Sequence, residues 1–155
     1  MATNHSSRDL HNRIYKKLLD VVPDLLTIRE HGKSKVPGLM DLSLDVLVCT
    51  PSKIVIALSH YWKHPSGDMI ADPDMQIAVY PPQEQAEALT YQDSYAYNQV
   101  YSSDGALVDV RIKRELNKFL ELWLGNLIRQ GHRISLSAPA QESVACSEYL
   151  GGARQ

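Results

Sequence analysis

The stretch Asp109–His132, DVRIKRELNKFLELWLGNLIRQGH, reads as an amphipathic helix with both of its ends specified. Ile112, Leu116, Phe119, Leu120, Trp123 and Leu127 recur at spacings of three and four. At 3.6 residues per turn that spacing gathers them into one apolar stripe. Arg111, Arg114, Lys118, Glu121 and Arg129 fall on the other side. Asp109 is placed to cap the first turn, and Gly131 to end the helix in a left-handed conformation. Such a stripe has to be covered, so the stretch implies a small globular domain closed by a docked helix.

Upstream of it, Ser102–Gly105 (SSDG) is a turn, and Glu84–Tyr101 reads as one or two strands. A helix is the alternative for 91–101, because Tyr91/Tyr95 and Tyr97/Tyr101 are each four apart. Met75, Ile77 and Val79 alternate as a strand that Pro81-Pro82 ends. Lys63–Asp74, rich in Pro, Gly and Asp, reads as a loop or wide turn. Before it, Lys53–Tyr61 is the expected hairpin partner of Met40–Cys49, where Met40, Leu42, Leu44, Val46 and Val48 alternate with polar residues. Arg29–Gly38 reads as a loop. A first helix is expected from a Ser7 cap, with Leu10, Ile14, Leu18 and Val22 in an i, i+4 row and Pro23 limiting it.

The expected class is therefore α+β: an N-terminal helix, a four- or five-stranded mainly antiparallel sheet, and a C-terminal amphipathic helix packed on it, both helices on one face. Residues 1–6 are expected to be disordered, 7–134 to form a single domain, and 135–155, Ser/Ala/Gly-rich and unpatterned, to be a disordered tail.

A chain of 155 residues with 44% hydrophobic residues suits one domain with a real core. A net charge of −2 argues against a generic nucleic-acid binder, which needs many cations against phosphate. Cys49 lies in an apolar run and reads as a small buried hydrophobe, Cys146 lies in a polar stretch, and a disulfide framework is not indicated. With no secretory leader and no apolar run of membrane length, the reading is a cytoplasmic protein without membrane association.

From Asp72 to His132 the chain resembles a family of uncharacterised bacterial domains frequent on integrative and conjugative elements. The carriers are DPDMQIAVY (72–80), AEALTYQ (86–92), Val100-Tyr101, and above all KRELNKFLELWLGNLIRQGH (113–132). More distantly it resembles the YqiB-like proteins, which share the layout of Asn117, Phe119, Leu120, Trp123 and Leu124. It departs from them at Tyr80-Pro81-Pro82, where they carry Tyr-His-Asp. The resemblance implies a fold and a bacterial origin but no activity.

Candidate sites follow from side-chain chemistry. His60 and His64 are four apart, yet they sit at a strand end without a third ligand, so the reading favours solvent-facing histidines over a metal pair. The loop carrying Asp68, Asp72 and Asp74 lacks the calcium-loop order and reads as turn chemistry. No nucleophile elbow or phosphate loop is present, and no cofactor is expected. Two features stand out. Six of the eight tyrosines lie between 61 and 101, and Tyr91, Tyr95, Tyr97 and Tyr101 would share one face of an extended segment. Arg111, Lys113 and Arg114 sit in the first turns of the closing helix, against its dipole, with Lys118 beyond them. Together these suggest a binding surface for a protein partner. A nucleic-acid interface using the same cations with Lys33 and Lys35 is the alternative, and an enzyme built on His60, His64 and the Asp68–Asp74 loop the second alternative.

Overall fold

The computed structural model describes residues 2–63 and 65–135. Helix α1 (Ala2–Val21) is followed by strands β1 (His31–Ser34), β2 (Asp41–Cys49), β3 (Ile54–Lys63), β4 (Met69–Tyr80), β5 (Gln85–Gln92) and β6 (Tyr97–Gln99), then helix α2 (Val110–Gln130). The six strands form one antiparallel meander in the order β1-β2-β3-β4-β5-β6.

The α+β class, its two terminal helices and the antiparallel sheet are as expected; the strand number is six rather than four or five. The additional strands are short and polar. β1 (HGKS) falls inside the expected loop, and β6 spans three residues with no apolar alternation. β4 is longer than its apolar half suggested. Asp72 and Pro73 lie within the strand, joined by a cis peptide, so the acidic loop is largely sheet. Helix α1 begins at Ala2, five residues ahead of the expected Ser7 cap. The tail expected to be disordered lies, from Leu136 on, outside the described residues.

Both helices pack on the face lined by Leu42 and Leu44 of β2, Ile54, Ile56 and Leu58 of β3, Met75, Ile77 and Val79 of β4, and Ala86 and Ala88 of β5. Ile14, Leu18 and Val21 of α1 meet Leu116, Leu120, Leu124 and Leu127 of α2 over that face. The small alanines of β5 let the helices approach closely. The ends of α2 form as expected: Asp109 Oδ1 accepts the Ile112 amide at 3.0 Å, and Gly131 adopts φ 90°. A positive φ there costs glycine nothing. Cys49, half-buried at the end of β2, is disulfide-bonded rather than a buried thiol. That bond removes the support that cysteine usage lent to a reducing compartment. Among the described residues no helix is long and apolar enough to cross a membrane.

Candidate functional site

The four tyrosines expected to form a stripe are split by the turn at 93–96. Asp93 Oδ1 accepts the amides of Tyr95 at 2.8 Å and Ala96 at 2.9 Å, so the carboxylate replaces strand pairing and resets the alternation. Tyr91, before the turn, faces the helices: its ring meets Phe119 edge-on at 5.3 Å, and its hydroxyl donates to Asp93 Oδ2 at 2.7 Å. Burial, then that hydrogen bond, push its pKa up to about 12. Tyr101, after the turn, is half-buried and reaches Glu87. Only Tyr95 and Tyr97 remain open, 95% and 55% exposed. Thus the surface keeps two of the four.

Tyr101 leads to a polar cluster centred on Glu87, which the sequence reading missed. Glu87 is buried on β5 beside α2. Its Oε2 accepts the Tyr80 hydroxyl and its Oε1 the Tyr101 hydroxyl, each at 2.7 Å. Lys113 Nζ lies 3.5 Å from Oε1 and donates to the Tyr101 oxygen at 3.1 Å. Burial and then Glu87 hold both phenols above their ordinary pKa, so they stay neutral donors. Burial opposes the Lys113 charge, but Tyr101 and Glu87 outweigh it and raise the lysine. His11 of α1 is lowered, first by burial, with Glu87 opposing and Lys113 adding to the effect. Each acceptor oxygen is thus engaged, and the cluster ties β4, β5, the segment after β6 and α2 together. The only local signal for it was an isolated Glu in the apolar run AEAL.

Asn117 performs the same task for the backbone. It is buried, its Oδ1 accepts the Ala88 amide at 2.8 Å, and its Nδ2 donates to the Lys113 carbonyl at 2.7 Å. β6 pairs only with Thr90–Gln92, so on that side of β5 the helix supplies the acceptor for the Ala88 amide.

Beside the cluster, the chain from Gln99 to Val110 folds back on itself through the Tyr101–Val108 bridge. It lines an open cleft of about 510 Å³. Tyr101 lines that cleft, and Leu107 and Val110, 72% and 61% exposed, stand on it. Arg111, paired loosely with Glu115 at 3.8 Å, follows at the first turn of α2. Arg114 and Lys118 continue along the helix surface, both exposed. Val110, Arg114 and Lys118 are four apart on α2, so its cations run on from an apolar patch that the sequence did not single out. Lys33 and Lys35 do not join them. They lie on or beside β1, at the opposite edge of the sheet, and Lys35 is 3.9 Å from Asp41.

The metal and enzyme reading fares differently. His60 is buried, not solvent-facing: Nδ1 donates to the Asp41 carbonyl at 3.2 Å and the ring lies 5.6 Å from Trp123. His64 lies outside the described residues. Asp68 is bound into the Ser66 turn and Asp72 accepts the Ser94 hydroxyl. Among the described residues no group of three His, Cys, Asp or Glu could hold a metal ion.

Membership is decided by a family model that matches residues 13–133, all six strands and α2 included. The chain belongs to the family of the domain of unknown function DUF6908. No curated protein and no solved structure matches it. The family description carries no activity, so any role rests on the geometry above.

Proposed function

We propose that this protein is a small binding module whose contact surface is the β6 edge, the cleft beside it and the start of α2. The observation that carries the reading is the apolar cluster Leu107, Val108 and Val110 held in the open over a cleft lined by Tyr101. Exposed apolar groups gathered at one place mark contact sites more often than scattered ones. The adjacent edge strand offers backbone donors and acceptors to an extended chain, and Tyr97 provides a ring that is both apolar and polar. Arg111 at the rim favours an acidic segment. The partner that fits is an extended stretch of another protein carrying apolar and acidic side chains. The resemblance over Asp72–His132 supports a bacterial mobile element as the module's setting, and the regulatory role is part of this proposal.

A photo-crosslinking residue placed at Tyr97 or Leu107 in the native cell should give one discrete adduct. The Tyr97 adduct should vanish when Val110→Asp and Leu107→Asp are introduced in turn, and the Leu107 adduct when Val110→Asp is, while a crosslinker at Lys16 gives none. Equal labelling from all three positions would overturn the reading.

Nucleic acid is the second reading, favoured by one observation. Helices α1 and α2 together carry nine Lys or Arg against four Asp or Glu, net +5 in a chain of net −2. Binding of duplex or single-stranded DNA that collapses between about 50 and 200 mM salt would support it over the first.

A further inference from the structure

Past Gly131 the chain returns onto the sheet, and two buried histidines fasten it there. His132 Nδ1 lies 3.0 Å from Ser34 Oγ on β1, and the same oxygen accepts the Arg133 amide at 3.0 Å. The His60 ring of β3 stands 5.4 Å from the His132 ring. Two residues on, Ile134 is fully buried, and its amide donates to the Val21 carbonyl at the end of α1 at 2.7 Å. Its side chain fills the space over Gly32, where any Cβ would run into Ile134 Cγ2.

This arrangement accepts neutral imidazoles and resists charged ones. Ser34 Oγ takes the Arg133 N–H and has its own proton to give, which His132 Nδ1 accepts only while unprotonated there. With Nδ1 accepting, the neutral ring carries its N–H on Nε2, which is buried with no hydrogen-bond partner, and protonation would add a second N–H at Nδ1, against the Ser34 hydroxyl proton. The rings are 6% and 3% exposed, and a charge on either would sit beside the other. Burial lowers both pKa values below the usual imidazole range; for His132 the neighbouring His60 adds to this, while the Asp41 carboxylate and the Met40 backbone offset part, as the Asp41 carbonyl does for His60. The charged groups around the pair are that Asp41 on β2, which favours a cation, and Lys35 after β1, 3.9 Å from the carboxylate, which opposes one. Arg133 of the segment itself also opposes it, and α1 contributes the uncharged Val21 carbonyl.

We propose that residues 131–135 form an acid-released latch: protonation of His132 and His60 frees the segment from β1 and α1 while the sheet and helices stay folded. Besides the cap bonds of Gly131 and His132 to α2, three polar contacts and the buried side chains of His132 and Ile134 fasten the segment to the body, so it can open without the cooperative loss of the core. The sign follows from the direction of the shifts. A base lowered in the closed form stabilises that form above its unperturbed pKa near 6.5, and the stabilisation is lost as pH falls below it. Carboxylates titrate near 4 and contribute little between pH 5 and 6.5.

Native-state hydrogen exchange at the Ile134 amide, corrected for the intrinsic rate, tests this. From pH 7.5 to 5 the opening constant should rise about tenfold or more, well beyond any rise at Ile56 and Leu58 in β3. The double change His60→Gln, His132→Gln should flatten that response. Gly32→Ala should raise opening at every pH by displacing Ile134, leaving the pH slope intact. A flat profile at Ile134, or one rising in step with the β3 amides, overturns the latch. That comparison within the wild-type chain decides the matter even where a variant does not fold.

Discussion

Gly125 sits in mid-helix in α2, buried, yet a Cβ added there would meet only flexible charged ends, Arg129 Nη1 at 3.5 Å and Lys17 Nζ at 3.6 Å. Both are ordinary contacts. Glycine in a helix interior costs roughly 0.5–1 kcal/mol relative to alanine, chiefly in backbone entropy. Gly125→Ala should therefore raise the chemical-denaturation stability by about that amount; a lowered midpoint would mean that α1 cannot yield the space. Trp123 is the opposite case. It is buried against His60 and stacked with Phe119 at 6.2 Å, so Trp123→Ala should cost about 3–5 kcal/mol, read from the same denaturation curve. The weight of Trp123 was legible from the helical spacing. The weight of Glu87 was not, because its two tyrosines and its lysine come from three different places in the chain and meet only after folding.

At the level of elements, α2 is stitched to β5 by polar side chains as well as by its apolar stripe. Asn117→Ala would leave the buried Ala88 amide without an acceptor, a loss of about 1–3 kcal/mol. Glu87→Gln should cost a similar amount, because one phenol loses its acceptor to an amide N–H, the other keeps only a neutral one, and Lys113 loses its counter-ion. If either variant unfolded at the wild-type denaturant midpoint, the edge of β5 would be held by apolar packing alone. Helix α2, strand β2 and the second half of β4 were legible from their periods, and β3 as an apolar run after the turn at Thr50–Ser52, although it buries Ile54, Val55 and Ile56 in succession. Strand β1 was not, being too short to display a period, and β6 was expected only as the optional second strand of Glu84–Tyr101. The first half of β4 was hidden by Asp72-Pro73, a pair that ordinarily signals a turn. Irregularities between Val46 and Val48, Ser59 and Tyr61, and Gln76 and Ile77 also shift the alternation within strands.

For the molecule as a whole, burial is the largest cause lowering His11, His60 and His132 alike. Their neutral forms stabilise the fold above pH 6.5, and that contribution fades as pH falls below it. The thermal midpoint should accordingly hold level between pH 8 and 7 and decline from about 6.5 downward. A midpoint unchanged to pH 5 would mean that these imidazoles titrate as freely as in the unfolded chain. Charge is also divided at this scale: the helices are net cationic and the remainder of the chain net acidic, which composition averages to −2. A partner approaching from the helical side therefore meets a field opposite in sign to the overall charge.

By itself the sequence determined the helix ends, the apolar stripe of α2, the alternating strands and hence the α+β class, because each is written in neighbouring residues at fixed periods. Only the tertiary structure decided which tyrosines stay exposed, that Glu87 is buried among Tyr80, Tyr101 and Lys113, and that His60 meets His132 across 72 positions of chain. The physical reason is range. Periodicity acts over one or two turns, whereas burial and the pairing of buried polar groups depend on where a meander and two helices bring distant residues together.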